Sequence, residues 1–570
     1  MSPIKQKLCN IIDQARSNEP CDLVIKNASV FSLATGDMIN GDIAICDEKI
    51  VGIGEKYEGK TEIDAKGLIA VPGFIDSHLH IESSLLTPRE FEKCVLPHGT
   101  TTAVCDPHEL SNVLGKTAIE YFLDASETMV MDLRVQLSSC VPASPLETSG
   151  GEITLDDLKT FMNHRKVIGL AEFMNFPGIF MKDETCLNKL ELFYGKYIDG
   201  HSPLVRGKDL NAYCAVGINN CHETTSKEEA QEKINKGMMV FIREGSVCKD
   251  IQALFPVLNT KTSPFMALCT DDRNPLEIAK EGHIDFIIRK LISLGVEPLA
   301  AYRAASYSAA KAFGLRDRGL VAPGYRADIV LIGSLEKCDV QKVICNGVLI
   351  DDTVFDKRKE FNKQNIGLNS VKLSPVSCDD FVIRDEKSST RVIGITEGSI
   401  ITDDLNINLN IKDGVKLTDI KEDISKVCVF ARHGHNHNIG RGFVKGFGLK
   451  EGAIASTVGH DSHNLCVIGT NDNDMAMAVN YLIENGGGFV CAKNGQIIAS
   501  LALPVGGLMS NLPYTKVAEQ LKLLRSGVKE LGTTLNEPFL QLAFLPLSVI
   551  PHLKITDLGL VDVDKFQVIK

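Results

Sequence analysis

The sequence predicts a mixed α/β architecture: a (β/α)8 barrel, a small β domain built from both flanks of that barrel, and a C-terminal α+β domain. Three observations carry this. Between residues 73 and 318, eight apolar runs end in polar residues, with helical stretches between most of them. Eight strand–helix units over roughly 240 residues is the rhythm of such a barrel. The segments on either side share a second texture, short β-runs cut by Gly and Asp. After a polar stretch, strands and helices alternate again at 374–570.

Residues 1–20 read as a short amphipathic helix. From Cys21 to about Ala70, DLVIKNASVFSL, GDIAICDEKIVGIG and KGLIAVPG predict a small antiparallel sheet. Residues 1–72 form the first part of this domain, and GYRADIVLIG and KCDVQKVICNGVLI at 319–353 return to it. The barrel strands are expected at the ends of LIAVPGFIDSHLH, TTAVCDPHE, DLRVQLSSC, VIGLAEF, YIDGH, VGINNCHE, MMVFIREG and PFMALCTDD. LSNVLGKTAIEYFLDAS and KEEAQEKINKG read as intervening helices, and an Ala-rich helix ends the barrel at Gly314. The polar residues 354–373 form a linker. In the last domain CVFARHGH, IASTVGH and FVCAKNGQIIASLAL read as strands, and DNDMAMAVNYLIENGG and TKVAEQLKLLRSGVKEL as helices.

Composition narrows the function. There are 61 Lys+Arg against 73 Asp+Glu, a formal charge of −12, which argues against a nucleic-acid groove or a polybasic membrane patch. No apolar run reaches the ~18 residues of a membrane span, and the N-terminal residues lack the apolar centre of a signal peptide. The 17 cysteines are scattered without a C-x-x-C pair. A reducing cytoplasm is the expected compartment.

Chemistry is carried by residues at the strand ends, where barrels of this kind place their sites. His78 and His80 stand two apart, so a strand turns both imidazoles to one face. Glu172, His201, His222 and Asp271 end strands four, five, six and eight. Four imidazoles and two carboxylates suffice for two divalent cations with Glu172 between them, and this donor set suits Zn, Fe or Mn. Asp106 in DPHE reads as a helix N-cap. His283 reads as a capping or packing residue, and His98 and His164 as ordinary surface or core histidines. His433, His435 and His437 read as a Gly-rich packed loop.

The stretches GFIDSHLHIESSLLTP, HGTTTAVCDPHE, GLAEFMNFPG, GKDLNAY, CTDDRNP, GFVKGFGLKEGAIASTVGHDSHNLCVIGTND and GGLMS resemble the adenine deaminases of the amidohydrolase superfamily over nearly the whole chain. The resemblance implies hydrolysis of adenine to hypoxanthine and ammonia, in purine salvage, by a metal-activated hydroxide attacking C6. It implies two ions of Mn²⁺ or Fe²⁺, with Zn²⁺ the alternative, and His78, His80, Glu172, His201, His222 and Asp271 as their ligands. Asp271, Glu172 and His222 are the expected catalytic residues, with Asp271 taking the first proton. Glu82, His108 and Glu109 follow strand ends and are candidate proton donors or substrate contacts. Arg243 and Glu244 could bond the purine edges or form an ion pair, while Asp272 and Arg273 shape a loop. His460 and His463, flanking Asp461, gain a functional reading from the same resemblance. A homo-oligomer with adenine as its partner, and neither nucleic acid nor membrane, is expected. The competing functions are hydrolysis of a cyclic amide, which the strand-four glutamate and the C-terminal domain oppose, and a silent scaffold, which intact ligand positions oppose.

Overall fold

A computed structural model describes residues 1–569 apart from Val247 and Gln364. The N-terminal helix Pro3–Ala15 opens on Ser2, whose side chain accepts a bond from the Lys5 amide, with Pro at its first position. It packs Ile11 and Ala15 against Val24 and Tyr57 of the small β domain.

That domain is one sheet made of two distant segments. Its order runs Val348–Leu349, Val340–Cys345, Ile329–Ile332, Ile69–Pro72, Cys21–Phe31, Met38–Cys46, Lys49–Ile53. Ile69–Pro72 and Ile329–Ile332 pair antiparallel, from Ile329 opposite Pro72 to Ile332 opposite Ile69, which clasps the two ends of the barrel insert together. The sheet is mixed rather than antiparallel: Gly59–Asp64 and Ile69–Pro72 both run parallel to Cys21–Phe31. Alternating side chains mark a strand and a buried face but say nothing about direction, so the crossover was invisible to the pattern.

The barrel strands are β1 (Phe74–Leu79), β2 (Thr100–Cys105), β3 (Asp132–Leu137), β4 (Val167–Phe173), β5 (Ile198–Gly200), β6 (Asn220–Cys221), β7 (Met239–Arg243) and β8 (Met266–Cys269). All eight expected runs form strands. They lie in two parallel sheets, β1 to β5 and β6 to β8. The Asp271 amide bonds the His78 carbonyl at 3.0 Å and the His80 amide bonds the Asp271 carbonyl at 3.3 Å, joining β8 back to β1. Between β5 and β6 the backbone link is a single long bond, Asn219 N to Ile198 O at 3.5 Å, supplemented by the Asn220 side chain accepting from the Gly200 amide at 2.6 Å.

The stretch LSNVLGKTAIEYFLDAS is two helices, His108–Leu114 and Lys116–Ser126, broken at Gly115. FVCAKNGQIIASLAL is likewise a hairpin, Gly488–Lys493 and Gln496–Ala502, turning at Asn494 and Gly495 with φ of 52° and 73°. An Asn-Gly pair between apolar runs favours that turn because both residues tolerate positive φ.

The C-terminal domain centres on an eight-stranded sheet. Helix Asp472–Glu484 packs Met475, Val479 and Leu482 with Cys428, Val467 and Val490 of the sheet. Helix Tyr514–Glu530 contacts both the strands of the 488–502 hairpin and the barrel helices Pro88–Val95 and Pro275–Glu281. Leu79, Leu85 and Leu110 of the barrel belong to the same buried apolar cluster as Leu503, Leu508 and Leu524. The GGLMS segment docks directly: the Ser510 amide bonds the Leu85 carbonyl at 2.8 Å. Gly506 has φ +68°, and a Cβ there would meet Leu110 Cδ1 at 2.3 Å, so only glycine fits this approach.

Candidate metal centre at the barrel mouth

Glu172 is the middle of the cluster. It lies near the end of β4, 3 % exposed, and its two oxygens serve different groups. Oε1 stands 3.4 Å from His80 Nε2, 3.3 Å from His108 Nδ1 and 3.8 Å from His78 Nε2. Oε2 stands 2.7 Å from His201 Nδ1 and 3.2 Å from His222 Nε2. Asp271 completes the first group, with Oδ1 3.3 Å from His80 Nε2 and 3.8 Å from His78 Nε2. The His78 and His222 rings stack at 3.8 Å between centroids. All six expected ligands therefore meet in one space.

Further contacts orient these groups. His78 Nδ1 is 3.0 Å from Asp199 Oδ2, and His80 Nδ1 is 3.0 Å from the Asp106 carbonyl. Such bonds fix ring orientation and leave each Nε2 turned to the centre. Burial raises the Glu172 carboxyl, but hydrogen bonds from His108, His201 and His222 hold it well below the usual carboxylate range. Burial acts the same way on Asp271, where the His80 hydrogen bond and the Arg243 charge hold it low. Both carboxylates are ionised. Burial and His78 lower His222, keeping it neutral, as a ligand imidazole must be.

Of the other residues singled out from sequence, some follow expectation and some depart from it. Asp106 does not cap a helix; Pro107 occupies the cap position of His108–Leu114. The Asp106 side chain instead turns inward, with Oδ2 3.0 Å from His108 Nδ1 and Oδ1 accepting from Ser138 Oγ at 2.6 Å. His80, Asp106, His108 and Glu172 together form a ligand-competent group. Arg243 is buried among carboxylates: Nη1 pairs with Glu223 and, at 3.0 Å, with Asp271, while Nε pairs with Asp250 at 2.9 Å. That is the ion-pair alternative, and it ties Arg243 to Asp271 rather than leaving it open. Glu244 pairs with Lys290. Glu82 Oε1 accepts the Leu110 amide at 3.0 Å. Asp272 has a buried Oδ1 without a partner among the described residues and forms a ligand-competent group with His80 and Asp271, which goes beyond shaping a loop. Arg273 pairs with Glu281 at 2.9 Å. His283 packs in the core, its Nδ1 2.9 Å from Thr100 Oγ1. His98 and His164 face Asp285 and Glu127 at 3.5 Å and 3.9 Å. Asp199 and Glu223 were not singled out from sequence. Each adjoins or nearly adjoins an expected ligand, in YIDGH and CHE, which was the available signal.

The C-terminal domain reaches this mouth. Glu109, just past β2, holds two of its histidines: Oε1 lies 2.7 Å from His460 Nδ1 and Oε2 pairs with His463. Both Glu109 oxygens are thereby occupied. The His433-to-His437 loop meets the second cluster through His433 Nε2, 2.7 Å from the Ser462 carbonyl. His435 Nε2 lies 3.2 Å from the Gly150 carbonyl, in keeping with ordinary hydrogen bonding. The fully buried Arg432 donates to the carbonyls of His463, Ser370 and Gly506 and fixes the loop that carries His460 and His463. A cleft between the domains has Asp272, His460 and Ser246 among its polar lining and Leu521, Leu524 and Phe539 among its apolar lining.

A carboxylate flanked by imidazoles at the strand ends of a barrel, with a clasping β domain, defines a hydrolase of the amidohydrolase class. Residues 69–350 match the Amidohydrolase family, and residues 399–567 match the Adenine deaminase C-terminal domain. The chain is 60% identical over 553 residues to the adenine deaminase of Gluconobacter oxydans (strain 621H), covering 97% of this chain and 98% of that one. It is 57% identical over 566 residues to adenine deaminase 1 of Rhizobium meliloti (strain 1021), covering 99% and 100%. This chain belongs to the adenine deaminase family. The family implies a divalent metal, and the residues fit one. His78 Nε2 is buried without a hydrogen-bond partner and faces two ionised carboxylates at 3.8 Å, a spacing too long for direct bonds and suited to a shared cation.

Proposed function

We propose that this chain hydrolyses adenine to hypoxanthine and ammonia, acting on an amidine C–N bond of the purine. The observation that carries the reading is the Glu172 carboxylate, which addresses His78, His80 and His108 with one oxygen and His201 and His222 with the other. That division supports two ions, and the family resemblance, not the geometry, carries the choice of Mn²⁺ or Fe²⁺ with Zn²⁺ the alternative. Bound there, divalent metal supplies Lewis acidity that brings a water's pKa toward neutrality.

The chain's own groups account for the rest of the chemistry. Asp271 presents an ionised carboxylate at the cluster, with its other oxygen anchored by Arg243, so it takes the proton from the attacking water. A C6–O bond forms, the C6–N6 bond breaks as Asp271 passes the first water proton to the departing amino group, and the second water proton, released as C6=O forms, restores the group that protonates ring N1. Ring N1 must gain a proton as C6 becomes tetrahedral. Among the candidates, His108 sits 3.3 Å from Glu172 Oε1 and is the one we assign, because both Glu109 oxygens are engaged by histidines. Arg243, held by three carboxylates, then acts as a support, and Glu82, whose Oε2 has no hydrogen-bond partner among the described residues, is the second candidate donor. No described helix is long and apolar enough to cross a membrane. A cytoplasmic homo-oligomer acting in purine salvage, with neither nucleic acid nor membrane as partner, completes the proposal.

The test is a substrate panel of adenine, adenosine, cytosine and guanine with metal-reconstituted protein. Ammonia release from adenine alone is expected. Release from another base but not from adenine refutes the assignment.

A further inference from the structure

Asp461 is unexplained by the site as described. It is 5 % exposed, yet Oδ2 has no hydrogen-bond partner among the described residues. A buried carboxylate oxygen without a donor costs free energy, so the position calls for one. Of the neighbouring carboxylates, Glu109 is taken by His460 and His463 and Asp106 by His108 and Ser138, while Asp272 Oδ1, Glu82 Oε2 and Glu147 Oε2 share the lack of a partner among the described residues. Oδ1 of Asp461 stands 3.8 Å from His460 Nδ1, which Glu109 already engages at 2.7 Å.

Its location says which donor. An oxygen of Asp461 lies within 4.8 Å of ligand atoms of both His108 and Glu109, and His108 Nδ1 is 3.3 Å from Glu172. Asp461 therefore lies beside His108, which also contacts the carboxylate at the reacting centre. Adenine carries C6, N1 and the amino group on its six-membered ring, and an N–H on its five-membered ring. With C6 at Glu172 and Asp271, the five-membered ring is what remains to be recognised. A carboxylate accepts from its N–H and repels its lone pairs. A nucleoside has carbon in place of that hydrogen at N9.

We propose that Asp461, supplied by the C-terminal domain, accepts the five-membered-ring N–H of adenine and so selects the free base over N9-substituted purines. This rests on the adenine deaminase reading. A site built to bond a substrate N–H rejects the analogue lacking it by as much as about 10⁴–10⁵, because the buried acceptor is left unpaired.

The experiment compares wild type, Asp461→Asn and Asp461→Ala as full-length, metal-reconstituted proteins matched for metal content and melting temperature. It measures kcat and KM for adenine and the inhibition constant of 9-methyladenine. Asp461→Ala is expected to lower kcat/KM for adenine about 10- to 100-fold, mostly through KM, while 9-methyladenine binds as well as before or better. Asp461→Asn, which keeps an acceptor oxygen, falls between and serves if the alanine variant does not fold. Equal weakening of adenine and 9-methyladenine, a loss confined to kcat, or unchanged adenine kinetics overturns the proposal. If wild type does not deaminate adenine, it is the underlying functional reading that fails, and wild-type data alone reveal it.

Discussion

Replacing Asp271 by Asn separates holding the site together from moving a proton. The side chain spans Arg243 Nη1 at 3.0 Å and His80 Nε2 at 3.3 Å. Asn keeps the shape but has one acceptor oxygen. With its oxygen toward His78 and His80 the amide keeps a ligand atom there, and in either orientation it cannot take a proton from the attacking water. General-base loss costs about 10²–10⁴-fold, or roughly 3–5 kcal/mol of barrier at 1.36 kcal/mol per tenfold. The fold should lose far less. The β8–β1 junction is made by the backbone of Asp271, and Arg243 retains Glu223 and Asp250. A stability loss of about 1–2 kcal/mol is expected. The assay follows adenine conversion by ultraviolet absorbance, with metal content and urea unfolding measured on the same preparation. Near-normal kcat at full metal content would refute the proton role and leave Asp271 as a support. Turnover lost in proportion to metal would also refute it, because ligation alone would then explain the defect.

Four further outcomes are expected. His80→Ala should lower both metal content and turnover, read by elemental analysis beside activity, and active protein free of transition metal would sink the metal assignment. Adenine should be deaminated and adenosine poorly or not at all; similar kcat/KM for the two counts against the site described. Glu109→Ala removes the shared partner of two buried histidines and should cost about 2–4 kcal/mol in chemical unfolding, with no loss if the interdomain contact is incidental. Burial pushes His460 down, but the Glu109 charge and hydrogen bond outweigh it and lift its pKa to about 9. Its stabilisation is therefore full below about pH 6.5 and is lost as pH rises through about 9, so wild type should lose more stability than His460→Gln between pH 6.5 and 9.5.

The metal cluster was the most legible part of the chain. His78 and His80 announce themselves by strand spacing, and Glu172, His201, His222 and Asp271 each close an apolar run, so local pattern plus barrel topology brings them together. Asp106 was misread because an Asp just before a helical stretch has the form of a cap. What turns it inward is Ser138, just past the end of β3, and His108, and only tertiary structure supplies the first of these. The link from Glu109 to His463 spans 354 positions and leaves no periodic trace. The parallel strands of the small sheet were missed for a related reason: alternation encodes faces, while direction depends on the connection.

The clasp between Ile69–Pro72 and Ile329–Ile332 also sets a timetable for synthesis. When the first barrel strands leave the ribosome, Ile69–Pro72 already has Cys21–Phe31 on one side. Its other edge has no partner until the whole barrel has been translated. An open apolar edge recruits other chains, and newly made segments must keep it shielded meanwhile. The division of one sheet between distant segments thus makes completion of the barrel a condition for sealing the domain that precedes it. Truncated chains ending before Ile329 should accordingly associate or be degraded rather than accumulate as folded fragments.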